Sequence, residues 1–384
     1  MRKILHVTPD FNFALNFVRP ICIEQIKSKC HVTVISTMAY YTKSEVNESS
    51  LLVDTFDKNI SNLKLVILNL RFRNFNLRLV KSYFRYVKMI IDEQFDLIIF
   101  HTSIDSLLPM LISRIFSKRT KRVYFNHGLP SLGYSGFAMH VLRLVEKVNI
   151  RLSISTFTIG PSMANALLEI NQDSKIIYNP PGSACGIELI SNNYQYLKEL
   201  RKATRLKHNI SVDKKVVLYV GRPVKRKGIY DLLDAWNAFS EDNSYLLWLI
   251  GPNEKELSNI SLPDNVMALG YLSDLKDFYL ISDVLCVPSY HEGFGYTYLE
   301  AAACGCVPIC SNIPGPTDFV THNLTGLTVS PKSVFQIKNS IETLFMDSDK
   351  LNRLSCNAFE KSQQFDRKTI APKISKMLLD ITRT

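Results

Sequence analysis

The chain has 384 residues, 46% hydrophobic and 21% charged, which suits two domains with cores of their own and excludes a disordered or low-complexity polymer. Its net charge of +11 is lopsided: residues 1–180 hold 23 Lys and Arg against 13 Asp and Glu, while residues 181–384 hold 23 against 22. The basic half suits an anionic partner (membrane surface, phosphate-bearing lipid or nucleic acid) or a solvated basic face. Nucleic acid is not expected, because no platform of interleaved aromatic and basic residues is visible. No run of about eighteen apolar residues is present, so no membrane span is expected. Met1-Arg2-Lys3 opens like an export signal, but His6 and Pro9 interrupt the apolar stretch after it, so a buried first strand and a cytoplasmic location are expected. The eight cysteines are scattered. Cys304, Cys306 and Cys310 cluster among Ala301, Ala302, Ala303, Gly305 and Val307, with no further partner at ligand spacing, and read as small core residues.

In chain order, buried strands are predicted at 4–7, 32–36, 65–68, 97–101, 122–125 and 157–159, with helical spacing between several of them, as at 79–91. The alternation pauses at 180–213, where Pro180, Pro181 and Gly182 precede a polar, basic helical stretch. A second series comes at 216–220, 246–250, 266–269, 284–287, 307–310 and 327–329, and two helices are predicted at 349–364 and 369–384. The expected fold is α/β: two facing Rossmann-like domains with a cleft between them, binding ligands at the carboxyl ends of the strands. The expected division is 1–182, a connection at 183–212, a second domain at 213–364, and a last helix, about 365–384, returning to the first domain.

Two loops carry the chemistry. Gly221-Arg222-Pro223-Val224-Lys225-Arg226-Lys227-Gly228 follows a strand and precedes a helix. Two cations on such a loop suit a diphosphate, and the spacing is not that of a nucleotide-hydrolysing phosphate loop. His291-Glu292-Gly293-Phe294-Gly295-Tyr296 follows the strand ending at 287 and enters an alanine-rich helix. Its glycines allow a ligand close to the backbone, and the helix start offers free N–H groups to an anion. Glu300, about one turn into that helix, is placed to accept hydrogen bonds from a ribose diol.

Glu292-x7-Glu300, the Gly-Phe-Gly between them and the Gly-Arg…Lys-Gly loop upstream together resemble family 4 glycosyltransferases of the GT-B fold. The likeness covers the second half, where 265–271, 282–289 and 325–329 resemble further family segments. It is weaker in the first half, carried by Asn126-His127-Gly128 at a strand end. The resemblance implies that Arg222 and Lys227 hold the donor diphosphate with the backbone of Gly293, Phe294, Gly295 and Tyr296. It gives Glu300 the nucleotide ribose, and Glu292 and His127 the sugar being transferred. The first loop, Thr8-Pro9-Asp10-Phe11-Asn12-Phe13, lacks the family's Gly-Gly, and Asp318 stands where a glutamate is commoner. A shorter likeness, at 127–136, is to members that extend polyprenyl-diphosphate-linked glycans for bacterial surface polysaccharides such as O-antigen.

The expected activity is therefore that of a retaining hexosyltransferase, moving a hexose or N-acetylhexosamine from a nucleotide diphosphate sugar to a glycan acceptor, without cofactor or metal. Asp347-Ser348-Asp349, the sole Asp-x-Asp, reads as a helix cap. Two other classes share parts of the pattern: a sugar-nucleotide epimerase of the same fold, and a non-catalytic anion-binding protein. The segment 72–91 is predicted as a helix carrying Arg78, Lys81, Arg85 and Lys88, with Phe75, Leu79, Tyr83, Phe84 and Tyr86 among them. With Arg114, Lys118, Arg119, Lys121 and Arg122 it suits the inner face of an anionic membrane, or a helix packed on its own sheet with a solvated basic side.

Overall fold

The computed structural model describes residues 1–37, 56, 60–71, 77–242 and 244–382. The chain divides into two compact units, Met1–Gly186 with Arg367–Thr384, and Ile187–Asp366.

The first unit is built on seven parallel strands: β1 (Arg2–Val7), β2 (Cys30–Ser36), β3 (Leu63–Ile67), β4 (Leu97–His101), β5 (Lys121–Asn126), β6 (Ser155–Thr158) and β7 (Ile176–Tyr178). Their order is β3-β2-β1-β4-β5-β6-β7. The second unit has β8 (Lys215–Val220), β9 (Tyr245–Ile250), β10 (Val266–Gly270), β11 (Val284–Val287), β12 (Val307–Ser311) and β13 (Leu327–Val329), again all parallel, in the order β10-β9-β8-β11-β12-β13. Counted from its own first strand, each sheet runs 3-2-1-4-5-6, the doubly wound Rossmann order, and the first adds a seventh strand at its edge.

Strands covered on both faces need unbroken apolar runs rather than alternation, and β4 and β11 are buried throughout. Strands β1, β2, β3 and β6 each begin two residues before the sequence expectation. β6 begins at Ser155 rather than at 157, because the polar Ser155 and Thr156 are drawn into the ladder, where Thr156 N–H donates to Lys175 O at 2.9 Å. β7 was not anticipated: three half-buried residues at a sheet edge give too short a pattern.

Ile187 onward belongs to the second unit, including most of the segment read as the connection. The helix Tyr194–Lys207 there is anchored by Arg201 and Arg205, which both reach Asp283 Oδ1, at 3.3 and 3.0 Å, while the Val216 N–H donates to Oδ2 at 2.9 Å. The last helix, Arg367–Asp380, lies in the first unit against Arg19–Lys27, and Lys121 Nζ donates to Ile381 O at 3.0 Å. Asp347 caps the helix Ser348–Ser362, accepting from Lys350 N–H at 2.8 Å.

Three neighbouring helices of the first unit, Leu77–Glu93, Ile104–Phe116 and Gly136–Leu152, pack side by side. In the first of these, Leu79, Tyr86 and Ile90 are buried, and Tyr83 donates to Leu70 O at 2.6 Å. The outward apolar side chains are instead Leu77, Val80, Phe84 and Ile91, interleaved with exposed Arg78, Lys81, Arg85 and Lys88. Phe72 and Phe75 lie outside the described residues. No described helix is long and apolar enough to cross a membrane.

Candidate functional site

In a doubly wound sheet the strand order reverses at one place, and the loops leaving the two strands there diverge to leave a crevice. In the second unit that place lies between β8 and β11, and both chemistry-bearing loops leave from it. The loop after β8 runs from Gly221 to Gly228, and the loop after β11 leads into the helix Tyr296–Ala303.

Gly228 holds the loops together. It adopts φ +70°, and a Cβ there would lie 2.1 Å from the carbonyl oxygen of Pro288, so a side chain would push the loops apart. A hydrogen bond from Tyr290 N–H to Arg226 O, 2.8 Å, fixes the same approach. Lys227 Nζ is thereby brought onto Glu292 Oε1 in an ion pair, and Ser289 Oγ donates to the same oxygen at 2.9 Å. Gly295, at φ +84°, starts the helix, its missing Cβ leaving room for the Tyr298 ring. Tyr298 is buried and donates to Val287 O at 2.6 Å, tying the helix to the end of β11.

Of the residues singled out from the sequence, Arg222 is exposed on its loop, Lys227 and Glu292 meet, and Glu300 sits in the first turns of the helix. Phe294 is buried against Tyr296 and Phe365, so its ring belongs to the core and only its backbone faces the loop. Sequence reasoning missed Tyr279, a buried side chain whose hydroxyl donates to Glu300 Oε2 at 3.1 Å. Burial, and then the Glu300 charge, raise its pKa well above the usual tyrosine value.

The first unit has its reversal between β1 and β4, and histidines gather there. His6 Nδ1 lies 2.9 Å from His101 Nε2, and His101 Nδ1 lies 2.9 Å from His127 Nε2. The far end is closed by Gln25, whose Oε1 is 2.9 Å from His6 Nε2. Phe125 stacks on His127 with ring centres 4.5 Å apart, and Phe13 meets it edge-on at 4.7 Å. Phe13 is positioned by the loop that lacks the Gly-Gly: Asp10 caps a helical turn at Phe11–Phe13, which runs on through a π-turn at Ala14–Val18. Burial holds His6 down at about 4 and His127 down at about 3. It also lowers His101 well below its usual value, with its two neighbouring rings adding to the effect.

The loop carrying His127 is braced from beneath. Asn126 Nδ2 donates to Gly128 O and its Oδ1 accepts from Gly128 N–H, both at 3.0 Å. Asn126 also donates to Tyr124 Oη at 3.0 Å, and Tyr124 donates to Glu146 Oε2 at 2.7 Å. Burial pushes the Glu146 carboxyl up to about 7.

Comparison with solved structures shows the class of fold. The chain superposes on the Anabaena protein Alr3699/HepE, solved in complex with UDP and glucose, with a TM-score of 0.71 over 99% of this chain and 100% of that one, at 18% identity. The fold is GT-B, two Rossmann-like domains. Within it, residues 201–361 match the family described as "Glycosyl transferases group 1". Among curated relatives, the chain is 29% identical to the capsular polysaccharide biosynthesis glycosyltransferase CapM of Staphylococcus aureus, over 62% of this chain and 64% of that one. It is 28% identical to the N,N'-diacetylbacillosaminyl-diphospho-undecaprenol alpha-1,3-N-acetylgalactosaminyltransferase of Campylobacter jejuni, over 44% of this chain and 46% of that one. The chain thus spans less than two thirds of the length of these relatives. The resemblance to family 4 glycosyltransferases of surface-polysaccharide synthesis stands on these matches.

The buried titratable groups predict an acid-sensitive fold. A histidine held neutral in the native state gives full stability above its unfolded value near 6.5 and loses it as the pH falls toward the folded value. Glu146 acts oppositely: its contribution is full below about 4.5 and is lost as the pH rises to about 7. Each net proton taken up on unfolding is worth about 1.4 kcal/mol per pH unit. Three histidines outweigh one carboxyl, so the denaturation midpoint should fall steadily from pH 6.5 to pH 4.5. A flat or rising profile would show that these rings are not held neutral.

Proposed function

We propose that the protein is a sugar transferase of surface-polysaccharide synthesis, taking a hexose or N-acetylhexosamine from a nucleotide diphosphate sugar with retention of configuration. The carrying observation is the second unit's switch point, where Lys227, Glu292, the Gly293–Gly295 turn and a helix start converge. The supporting likenesses are the group 1 match and the relatives' printed activities. A nucleotide diphosphate is a good leaving group, so the reaction needs its growing negative charge stabilised more than it needs a proton donor. Arg222, Lys227 and the N–H groups opening the Tyr296–Ala303 helix supply that stabilisation. The anion competes with Glu292 for Lys227 and frees the carboxylate for the sugar. Glu300, oriented by Tyr279, takes the ribose hydroxyls. By the family resemblance His127 serves the transferred sugar.

Glu300→Ala and Lys227→Ala should each stay folded and lose most of the turnover, read as nucleotide diphosphate release from a panel of nucleotide sugars with and without membrane lipid extract. The loss of one charge-assisted contact is worth about 1.5–3 kcal/mol, roughly a ten- to hundred-fold rate effect. Near-parental turnover in either folded variant would remove the donor site, and turnover without any acceptor would mark an epimerase instead.

The reaction is metal-free in this proposal, because fixed cations face the diphosphate position and the Asp-x-Asp carboxylate Asp347 is occupied as a helix cap. Treatment with EDTA should leave activity nearly intact. Abolition by chelator with recovery on adding manganese or magnesium would overturn this.

The acceptor in this proposal is a polyprenyl-diphosphate-linked glycan, met at the inner face of the cell membrane. The exposed rings Phe84 and Phe137, 72% and 84% accessible, stand on neighbouring helices with Leu77, Ile115 and Leu144, among exposed Arg78, Lys81, Arg85 and Arg114. Each such cation contributes about 1 kcal/mol at an anionic leaflet, and the apolar side chains reach the headgroup boundary. The protein should float with phosphatidylglycerol vesicles at low salt and lose much of that binding in high salt or on neutral vesicles. Failure to float in every condition, with full activity on a soluble glycan, would defeat the membrane reading alone.

A further inference from the structure

The three histidines of the first unit and Gln25 form one chain whose protons are not independent. Each ring is linked through both nitrogens, except that no partner of His127 Nδ1 is found among the described residues. A neutral imidazole carries one N–H, and each ring-to-ring link needs one donor and one acceptor. Only two proton arrangements satisfy every link with neutral rings. Either all three rings carry the proton on Nε2, or all three carry it on Nδ1.

Gln25 decides between them. Its amide oxygen, which accepts and cannot donate, faces His6 Nε2 at 2.9 Å, so His6 carries its proton on Nε2. His6 Nδ1 is then bare and must accept from His101 Nε2–H, and His101 Nδ1 must likewise accept from His127 Nε2–H. The outermost ring is left with a bare Nδ1. Turning the amide over would place an N–H against His6 and reverse all three rings together. The chain is also a dead end for protons, since an amide oxygen is too weakly basic to take one. The side chain is wholly buried, with an amide nitrogen that has no partner among the described residues. A leucine or methionine would fill the space without that cost, so the hydrogen bond to His6 is what the position provides.

We propose that Gln25 is a positioning residue: acting through His6 and His101, it fixes His127 in the Nε2–H tautomer, so that His127 Nδ1 is a neutral hydrogen-bond acceptor for a ligand hydroxyl. This rests on the reading that His127 serves the transferred sugar, and it specifies the chemistry of the contact. A neutral acceptor takes an O–H group of a polyol and gives nothing to a phosphate oxygen. The rings packed on the chain among the described residues, Phe13, Phe17 and Phe125, carry no charge that would favour an imidazolium.

The test is the nitrogen-15 spectrum of the full chain with labelled histidines, with the His127 signals assigned by their loss in His127→Asn. The expected parental pattern is a protonated Nε2 and a bare Nδ1 on His127. Gln25→Leu removes the terminal acceptor and should replace that pattern by a mixture of tautomers, with the KM for the sugar donor raised several-fold. Gln25→Met keeps the volume without a strong acceptor and should give the same mixture and the same raised KM. A protonated Nδ1 in the parent, or an unchanged His127 pattern in Gln25→Leu, overturns the proposal. Should Gln25→Leu fail to fold, the parental spectrum and Gln25→Met decide it. The spectrum does not depend on turnover, so absence of sugar transfer would sink the proposed function and leave the tautomer assignment standing.

Discussion

The strand-order reversal between β8 and β11 is the constraint from which the candidate donor site arises. Residues 221–228 and 288–295 are far apart in sequence, yet they leave adjacent strands at the same end of the sheet. The approach is close enough that Gly228 has no room for a Cβ beside Pro288. A cationic loop alone would be solvated surface, and a glycine turn with a carboxylate alone would be a capped helix start. Set together they make a partly buried cation and anion that hold each other. A buried pair of this kind adds little to stability by itself, because desolvation offsets the attraction. In the proposed donor site its value would lie in keeping two charged groups where a diphosphate and a sugar displace their mutual contact.

The first unit repeats the topology with different chemistry. At its reversal a run of neutral rings is closed by an amide at one end and packed with phenylalanines at the other, while Arg71 pairs with Asp105, just after β4, at 3.0 Å. Neutral groups can be buried deeply when each link is a hydrogen bond, and the depressed histidine values are the electrostatic expression of that burial. The second unit thus sets a Lys–Glu pair at its switch point, and the first sets a chain of uncharged rings there. In the proposed transfer the charged pair suits the departing diphosphate, and the uncharged rings suit sugar hydroxyls.

Much of the fold was legible because doubly wound sheets write themselves plainly. Strands buried on both faces give continuous apolar runs, so β4 and β11 could be placed from hydropathy. The short edge strand β7 and the polar start of β6 escaped because they are defined by ladder hydrogen bonds and not by apolar pattern. The basic helix was read correctly as a helix. Its inward residues were not separable from its outward ones, because Tyr86 is buried and Phe84 is bare on the same aromatic-rich stretch.

The sequence by itself determined the local chemistry of the second unit, since Arg222, Lys227, Glu292, the two glycines and Glu300 lie in short segments whose turns and helix start are set by nearby residues. Which groups serve those residues was decided by tertiary structure. Tyr279 reaches Glu300 from another helix, and His6, Gln25, His101 and His127 come from separate elements that only the strand order sets side by side. Hydrogen-bond partners distant in the chain leave no periodicity or spacing to read, because what joins them is the sheet.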